Sequence, residues 1–536
     1  RAGGRLMAAI TPKIELELQG RGNGWTNITA DVLSPIRISY GIQGAGPTDR
    51  TAGAGTCRLE LNNSERNSAQ RVGYYSPGNG NARAGFALGI RVRVQFQDPA
   101  TATWHVKHIG SIATVTPQPG RYGPRRVIVE STDWMDEAAR STVAGLATQI
   151  NKRSDEIIDL LIGNVPRTPE AESIATGADT YAYALDTARD DRANPVLQEI
   201  ARVTLSELGY FYQKGDGTVV FEARFDRANT TDAVTLQDDM QALQVTSSRD
   251  ELLTRVQVVT HPRTVDSAAV VLYRLQTVTE VPVDGSITLL GPYTDPNNRA
   301  SRVGGTQMVT PAATTDYLMN SAADGTGANL TASMAVTASL GGNGVRWEIT
   351  NNSGQVAYIT KLQVRGKGVY DFETTVAEAE DAALSAEFGE QVAVIDLPYQ
   401  SDPAVGHATA DYLLGLYGPQ EIGIWALGTA GSSELGVTTQ LSYFNRSSVG
   451  SVRVAPRTPA LQTQILTREV GDRIGLEETV TGVASSFYIQ AVQLEVTAPG
   501  TPVVTWTLAP ADTQAYWALG DAGYSELGNT TWLAFS

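Results

Sequence analysis

Apolar and polar residues alternate with a period of two over much of the chain, the spacing of a half-buried β-strand. Ile14, Leu16 and Leu18 alternate with Glu15 and Glu17. The pattern returns at Leu59-Glu60-Leu61, from Ile90 to Phe96, from Trp104 to Ile109 and from Arg126 to Glu130. Pro77-Gly78-Asn79-Gly80, Asp98-Pro99 and Pro119-Gly120 supply turn chemistry between these runs. After an N-terminal arm of residues 1–11, this predicts a β domain over 12–134. Near residue 134 the period changes. Val143, Leu146, Ile150, Ile157, Ile158 and Leu161 recur at helical spacing, with Gly163 and Pro166 as stop signals. Asn194-Pro195 opens a second helix, with Val196, Leu197, Ile200, Ala201, Leu205 and Leu208 on its apolar face and Gly209 at its end. A hairpin follows, Tyr210-Phe211-Tyr212 and Val219-Val220-Phe221 around Lys214-Gly215-Asp216-Gly217. These elements predict an α/β domain over 135–239.

Strands resume at Thr254–Thr260 and Val270–Val278. Residues 295–368 differ in texture, rich in Thr, Ala, Gly and Asn. Strands are expected at Met334–Ser339, Val345–Thr350 and Tyr358–Val364, joined by glycine- and asparagine-rich turns. That segment reads as a small β sandwich inserted into its host. Helices are expected at Val376–Phe388 and from Asp402-Pro403 to about Tyr417, then strands to the end. The host is then a discontinuous β-rich domain, 240–294 with 369–536. The class is mainly β with an α+β segment, in several domains.

One segment occurs twice. Residues 425–439 and 517–531 are identical at 12 of 15 positions, 92 residues apart. Trp425, Leu427 and Gly428 recur as Trp517, Leu519 and Gly520. A duplicated strand–turn–strand packing its Trp into a core explains this, and so does a docking element, since Trp is enriched at interfaces. Either way the two copies are expected to share a local conformation.

Charge narrows the function. With 41 Lys and Arg against 57 Asp and Glu, the net charge of −16 argues against an affinity surface for nucleic acid. The single cysteine, Cys57, excludes an internal disulfide and a Cys-rich zinc site, and it falls in a strand-like run. There is no apolar run long enough to span a membrane. Arg1 to Leu6 has no apolar stretch behind it, so no secretion signal is expected there. Catalytic patterns are missing as well: Gly-x-Ser-x-Gly, His-Glu-x-x-His and the phosphate loop do not occur. The four histidines are His105, His108, His261 and His407; the first two point to opposite faces of one strand and make no metal pair. The pairs Asp190-Asp191 and Asp238-Asp239 read as solvated turns, as does Asp324-Gly325-Thr326-Gly327. No catalytic residue, metal or cofactor is expected. Aromatic residues on the inserted sandwich, Trp347, Tyr358 and Tyr370, suit either sugar contact or ordinary strand packing.

The order of several motifs resembles a known family. Trp25-Thr26-Asn27-Ile28-Thr29-Ala30-Asp31-Val32 is followed by Gly55-Thr56-Cys57-Arg58-Leu59-Glu60-Leu61-Asn62-Asn63. Ala84-Gly85-Phe86, Asp133-Trp134-Met135-Asp136, Leu197 to Gly217, Ile465 to Gly482 and the C-terminal Trp517-x-Leu519-Gly520 come after them. Together they resemble long-tailed bacteriophage minor tail proteins, the tail-tip or baseplate hubs. The second Trp-Leu-Gly copy at 425 departs from the family's pattern. The resemblance implies tube-like β barrels with an α/β segment between them, and a ring, usually a trimer, in which two barrels per subunit match a six-fold tube. It implies partners too: further copies of the chain, the tail tube or distal tail protein, the tape-measure protein, and tail fibre or tip proteins, with DNA in transient passage. The place would be the virion tail, assembled in the bacterial cytoplasm. Two other readings stand beside it: an adhesin gripping receptors or carbohydrate through the sandwich, and a tail-associated cell-wall hydrolase, for which no catalytic module is expected.

Overall fold

A computed structural model describes residues 9–120, 122–143, 146, 148–185, 194–227, 231–246, 253–418, 420–423, 441–444, 449–497, 500–511, 515–517 and 531–533. The chain is mainly β, in several sheets. The largest has thirteen strands and joins distant parts of the sequence. Across it run 242–245, 449–454, 501–510, 483–497, 32–41, 56–62, 126–132, 104–117, 91–97, 11–16 and 26–27. Arg473–Glu478 pairs with the first half of 483–497, and Thr235–Gln237 lies parallel to it.

The seam between the first and last parts of the chain is the antiparallel pairing of 36–41 with 491–496. Alternation makes it work on both faces. Ile36, Ile38 and Tyr40 lie opposite Val496, Leu494 and Val492, all buried, while Arg37 and Ser39 lie opposite Glu495 and Gln493 on the other face. Gly41 closes the seam at a φ of 105°, where a Cβ would stand 2.4 Å from the Gln490 carbonyl oxygen, so only glycine fits. One apolar core lies behind the whole sheet, from Ile14 and Phe96 through Leu59 and Val129 to Trp506 and Leu508. The first domain expected from the sequence and the strands between 449 and 510 therefore contribute to one sheet and one core.

A buried ionic cluster fastens the same junction. Lys107, 1% exposed, donates to Glu469 at 2.5 Å and to the Arg468 carbonyl at 3.0 Å. The Tyr40 hydroxyl donates to the other Glu469 oxygen at 2.8 Å, and the Gly215 amide reaches it at 3.3 Å. Burial and the adjacent Glu469 carboxylate push the Tyr40 hydroxyl well above the usual tyrosine range. Four separated segments thus meet at one carboxylate.

The α/β segment packs helices Ser154–Gly163 and Val196–Glu207 against the hairpin 210–222. The helix expected from Val143 begins only at Ser154. Before it, the Val143 and Gln149 amides donate to the Asn194 and Ala184 carbonyls, and the Glu156 carboxylate caps the helix by accepting from the Arg153 amide. Pro195, rather than Asn194, stands at the cap of the second helix.

Beyond residue 240 the expected discontinuous domain is divided among several sheets. Residues 242–245, 449–454, 473–478, 483–497 and 501–510 belong to the large sheet. Arg255–Thr260, Thr375–Glu380 and Val392–Leu397 form a separate three-stranded sheet, covered on one face by helix Pro403–Tyr417. Asp402 caps that helix as the sequence predicts. Of the predicted helix Val376–Phe388, Val376–Glu380 lies in the strand Thr375–Glu380; Ala377 and Ala379 point into the core, and the helix is only Ala382–Phe388 after its Asp381 cap. The insert is wider than 295–368. Strands at 263–265, 270–274 and 279–281 pair with Ala357–Asp371, and 286–292 pairs with 344–351, so the sandwich spans 263–371 around its own core.

Candidate functional site: a polar sheet face

The side of the large sheet turned away from its core is built from the outward residues of its central strands. Two rows of cross-strand neighbours define it. One runs Arg453, Thr505, Gln493, Ser39, Thr56, Thr132. The next runs Val503, Glu495, Arg37, Arg58, Glu130, Thr114. Six strands at about 4.8 Å spacing make a face roughly 24 Å wide. Its residues are half-buried or exposed, whereas the positions between them, such as Ile38, Cys57, Val129, Leu494 and Val504, are buried. Cys57 lies in the core, and burial pushes its thiol far above the usual range, as suits an inert structural cysteine.

The face is concave enough to enclose a groove of about 730 Å³. Its chemistry is small hydroxyls, amides and opposed charges. Arg37 and Arg58 sit side by side across the strands, a repulsive placement. An acid flanks each: Arg37 meets Glu495 at 3.0 Å and Arg58 meets Glu130 at 3.6 Å. Further along, Arg126 meets Glu60 at 2.6 Å. Four arginines (with Arg453) and three glutamates leave the face close to neutral, although the chain carries −16 overall. Such a surface is polar, with its charges paired across neighbouring strands. It suits contact without retention.

Trp425, Leu427, Gly428, Leu519 and Gly520 fall outside the described residues. Trp517 ends a short strand, Ala515–Trp517, which pairs parallel with Thr531–Leu533. The first copy is flanked by Gln420–Gly423 and Leu441–Phe444, paired antiparallel. On the insert, Trp347 is 0% exposed and belongs to the sandwich core, so it offers sugar no surface. Tyr358 and Tyr370 share one strand twelve positions apart, about 40 Å in an extended chain, and Tyr370 donates to Asp266 at 3.1 Å. The three do not converge. No group of three or more His, Cys, Asp or Glu among the described residues is placed to hold a metal ion.

Neither a protein-family model nor a curated protein matches the chain. Solved structures do. The 43 kDa tail protein of prophage MuSo2 from Shewanella oneidensis aligns over 93% of this chain and 99% of its own, at 11% identity and a TM-score of 0.45. The tail protein from Neisseria meningitidis MC58 covers 94% of this chain and 96% of its own, at 9% identity and 0.45. Prophage tail protein gp18 from Listeria monocytogenes EGD-e covers 93% and 94%, at 8% identity and 0.38. At such identities and scores the likeness carries no weight for function.

The sequence did hold a signal for the polar face: every outward position of 36–39, 56–60, 128–132 and 493–495 is polar except Ile128. What it lacked was any sign that these four runs lie side by side.

Proposed function

We propose that the chain is a structural hub subunit of a bacteriophage tail tip, forming a ring whose polar sheet face lines a channel for DNA. The observation that supports this best is the uninterrupted sheet with a near-neutral, ion-paired outer face, together with the ordered motifs of the tail-hub family. A tube wall needs one sheet face that is solvated and weakly adherent and another that is buried, and this sheet has both. A polyanion slides past such a wall because no net positive field holds it.

Ring closure has a physical basis in the sheet's edges. Among the described residues no strand pairs with the outer edge of Ala242–Val245, nor with that of Trp104–Pro117 beyond Ile112. Unpaired edges recruit strands. A head-to-tail contact between two different edges closes into a ring when the rotation allows. Three subunits, each with two barrel halves, would match a six-fold tail tube. The tube or distal tail protein, the tape-measure protein and fibre or tip proteins are then its partners, and the virion tail its place. The role is scaffolding, without catalysis.

Native mass measurement at micromolar concentration, with and without tube protein, tests the reading. A trimer, formed alone or on the added tube, supports it. A monomer under both conditions overturns it. Incubation with purified cell wall should release no soluble sugar or peptide.

A further inference from the structure

We propose that Glu60, Glu130 and Glu495 act as fixed counter-ions that keep the arginines of the polar face from capturing DNA phosphates. This inference rests on the channel reading and says what regulates adhesion at that surface. The three acids have a common geometry. Each stands on a strand that pairs directly with the strand of its arginine: Glu495 beside Arg37, Glu130 beside Arg58, and Glu60 on the neighbour of the strand carrying Arg126. All three pairs lie within ion-pair distance, at 3.0, 3.6 and 2.6 Å.

Their placement is poorly explained by stability. Arg37, Arg58 and Arg126 expose 58%, 46% and 36% of their side chains, and ion pairs this open contribute little to folding. Their effect on the local field is larger. With the acids in place the face holds four arginines against three glutamates, and Arg37, Arg58 and Arg126 each have a carboxylate at ion-pair distance. Without the acids, four guanidiniums on strands about 24 Å apart at most would face the channel unopposed. Arginine is well suited to phosphate, because its planar fork matches two phosphate oxygens. The arginines themselves would serve the wall by accepting those carboxylates across strands, holding the face polar and neutral.

The test is the triple variant Glu60→Gln, Glu130→Gln, Glu495→Gln in the full chain, with a fluorescent 30-base-pair duplex as probe and anisotropy as readout. The wild-type chain should show no binding at low salt. The variant should bind, and its affinity should fall steeply with salt. Four phosphate contacts predict a drop of about 100-fold between 50 and 200 mM salt. Adding Arg37→Gln and Arg58→Gln should abolish the binding. A control triple on and beside the separate three-stranded sheet, Glu378→Gln, Glu380→Gln and Glu390→Gln, should stay inert. Far-UV spectra and unfolding midpoints establish that each variant is folded; if the triple is not, the single variants Glu130→Gln and Glu495→Gln should each show weaker binding of the same sign. A folded variant that binds DNA no better than wild type overturns the inference, as does equal binding by the control triple. Failure of the channel reading itself shows separately, as a chain that stays monomeric in the mass measurement.

Discussion

In the large sheet, segments more than 450 residues apart are hydrogen-bonded side by side, as Arg37 is to Glu495. Residues 263–371 do the opposite: all of their described strand pairing, and the whole of their core around Trp347, stays within the insert. The chain enters and leaves that insert through paired neighbours, Arg263 opposite Asp371. A body that needs both chain ends for one core can only fold as a unit. An insert whose ends meet adds its core without taking part in that unit. The separation of the insert's core from the body's also says where this chain should tolerate variation: in the insert, and not along the seam.

The contrast is easiest to break by cutting the chain. Truncation after residue 448 strips 483–497 and 501–510 from the sheet and bares Ile36, Ile38 and Tyr40. The remaining fragment is expected to lose its cooperative unfolding transition, as read by circular dichroism, while residues 262–372 alone keep one. A body fragment that unfolds cooperatively would contradict the shared core.

Single substitutions at the junction come next. Trp506→Ala empties a fully buried site and should cost about 3–5 kcal/mol in urea unfolding. Glu469→Ala leaves Lys107 buried without its counter-charge, a loss of about 3–5 kcal/mol. Both should lower the body transition and leave the insert's own transition in place.

A smaller effect is tied to pH. Asp133 caps the helix Trp134–Arg140, and burial raises its carboxyl to about 7. The folded chain then keeps this proton up to about pH 7, whereas the unfolded chain releases it near 4. Its contribution is therefore fully present below about pH 4 and is lost as pH rises through 7, on the order of 2–4 kcal/mol. Asp133→Asn, also a competent cap, should flatten that slope in urea titrations from pH 4 to 8. An unchanged slope would show that Asp133 titrates normally. Smallest of all should be replacement of 264–370 by a short turn, which ought to shift the body's stability by less than about 1 kcal/mol.

Local features were readable from the sequence. The Asp402-Pro403 helix start, the 210–222 hairpin and the insert strands Met334–Leu340, Gly344–Asn351 and Ala357–Asp371 need only neighbouring residues to define them. Trp347 was readable too: it alternates with Arg346 and Glu348, which marks it as inward, and an aromatic side chain drew attention that the alternation did not support. The seam was not readable. Nothing in Arg37-Ile38-Ser39 or Gln493-Leu494-Glu495 names the other as its partner, because strand pairing over such a separation is set by the whole core. The polar face inherits that opacity, since it exists only once the strands are placed together. The 154–163 helix starts later than its local period predicts for a related reason, as backbone bonds from Val143 to Asn194 and from Gln149 to Ala184 override that period.

Electron microscopy of the chain assembled with its tube protein tests the central claim most directly. The account predicts a ring with an open centre, in which Ser39, Thr56, Thr132, Gln493 and Thr505 face the lumen and the strand edges at 242–245 and 113–117 meet between subunits. A ring with that face turned outward, or a particle with no central channel, would contradict it.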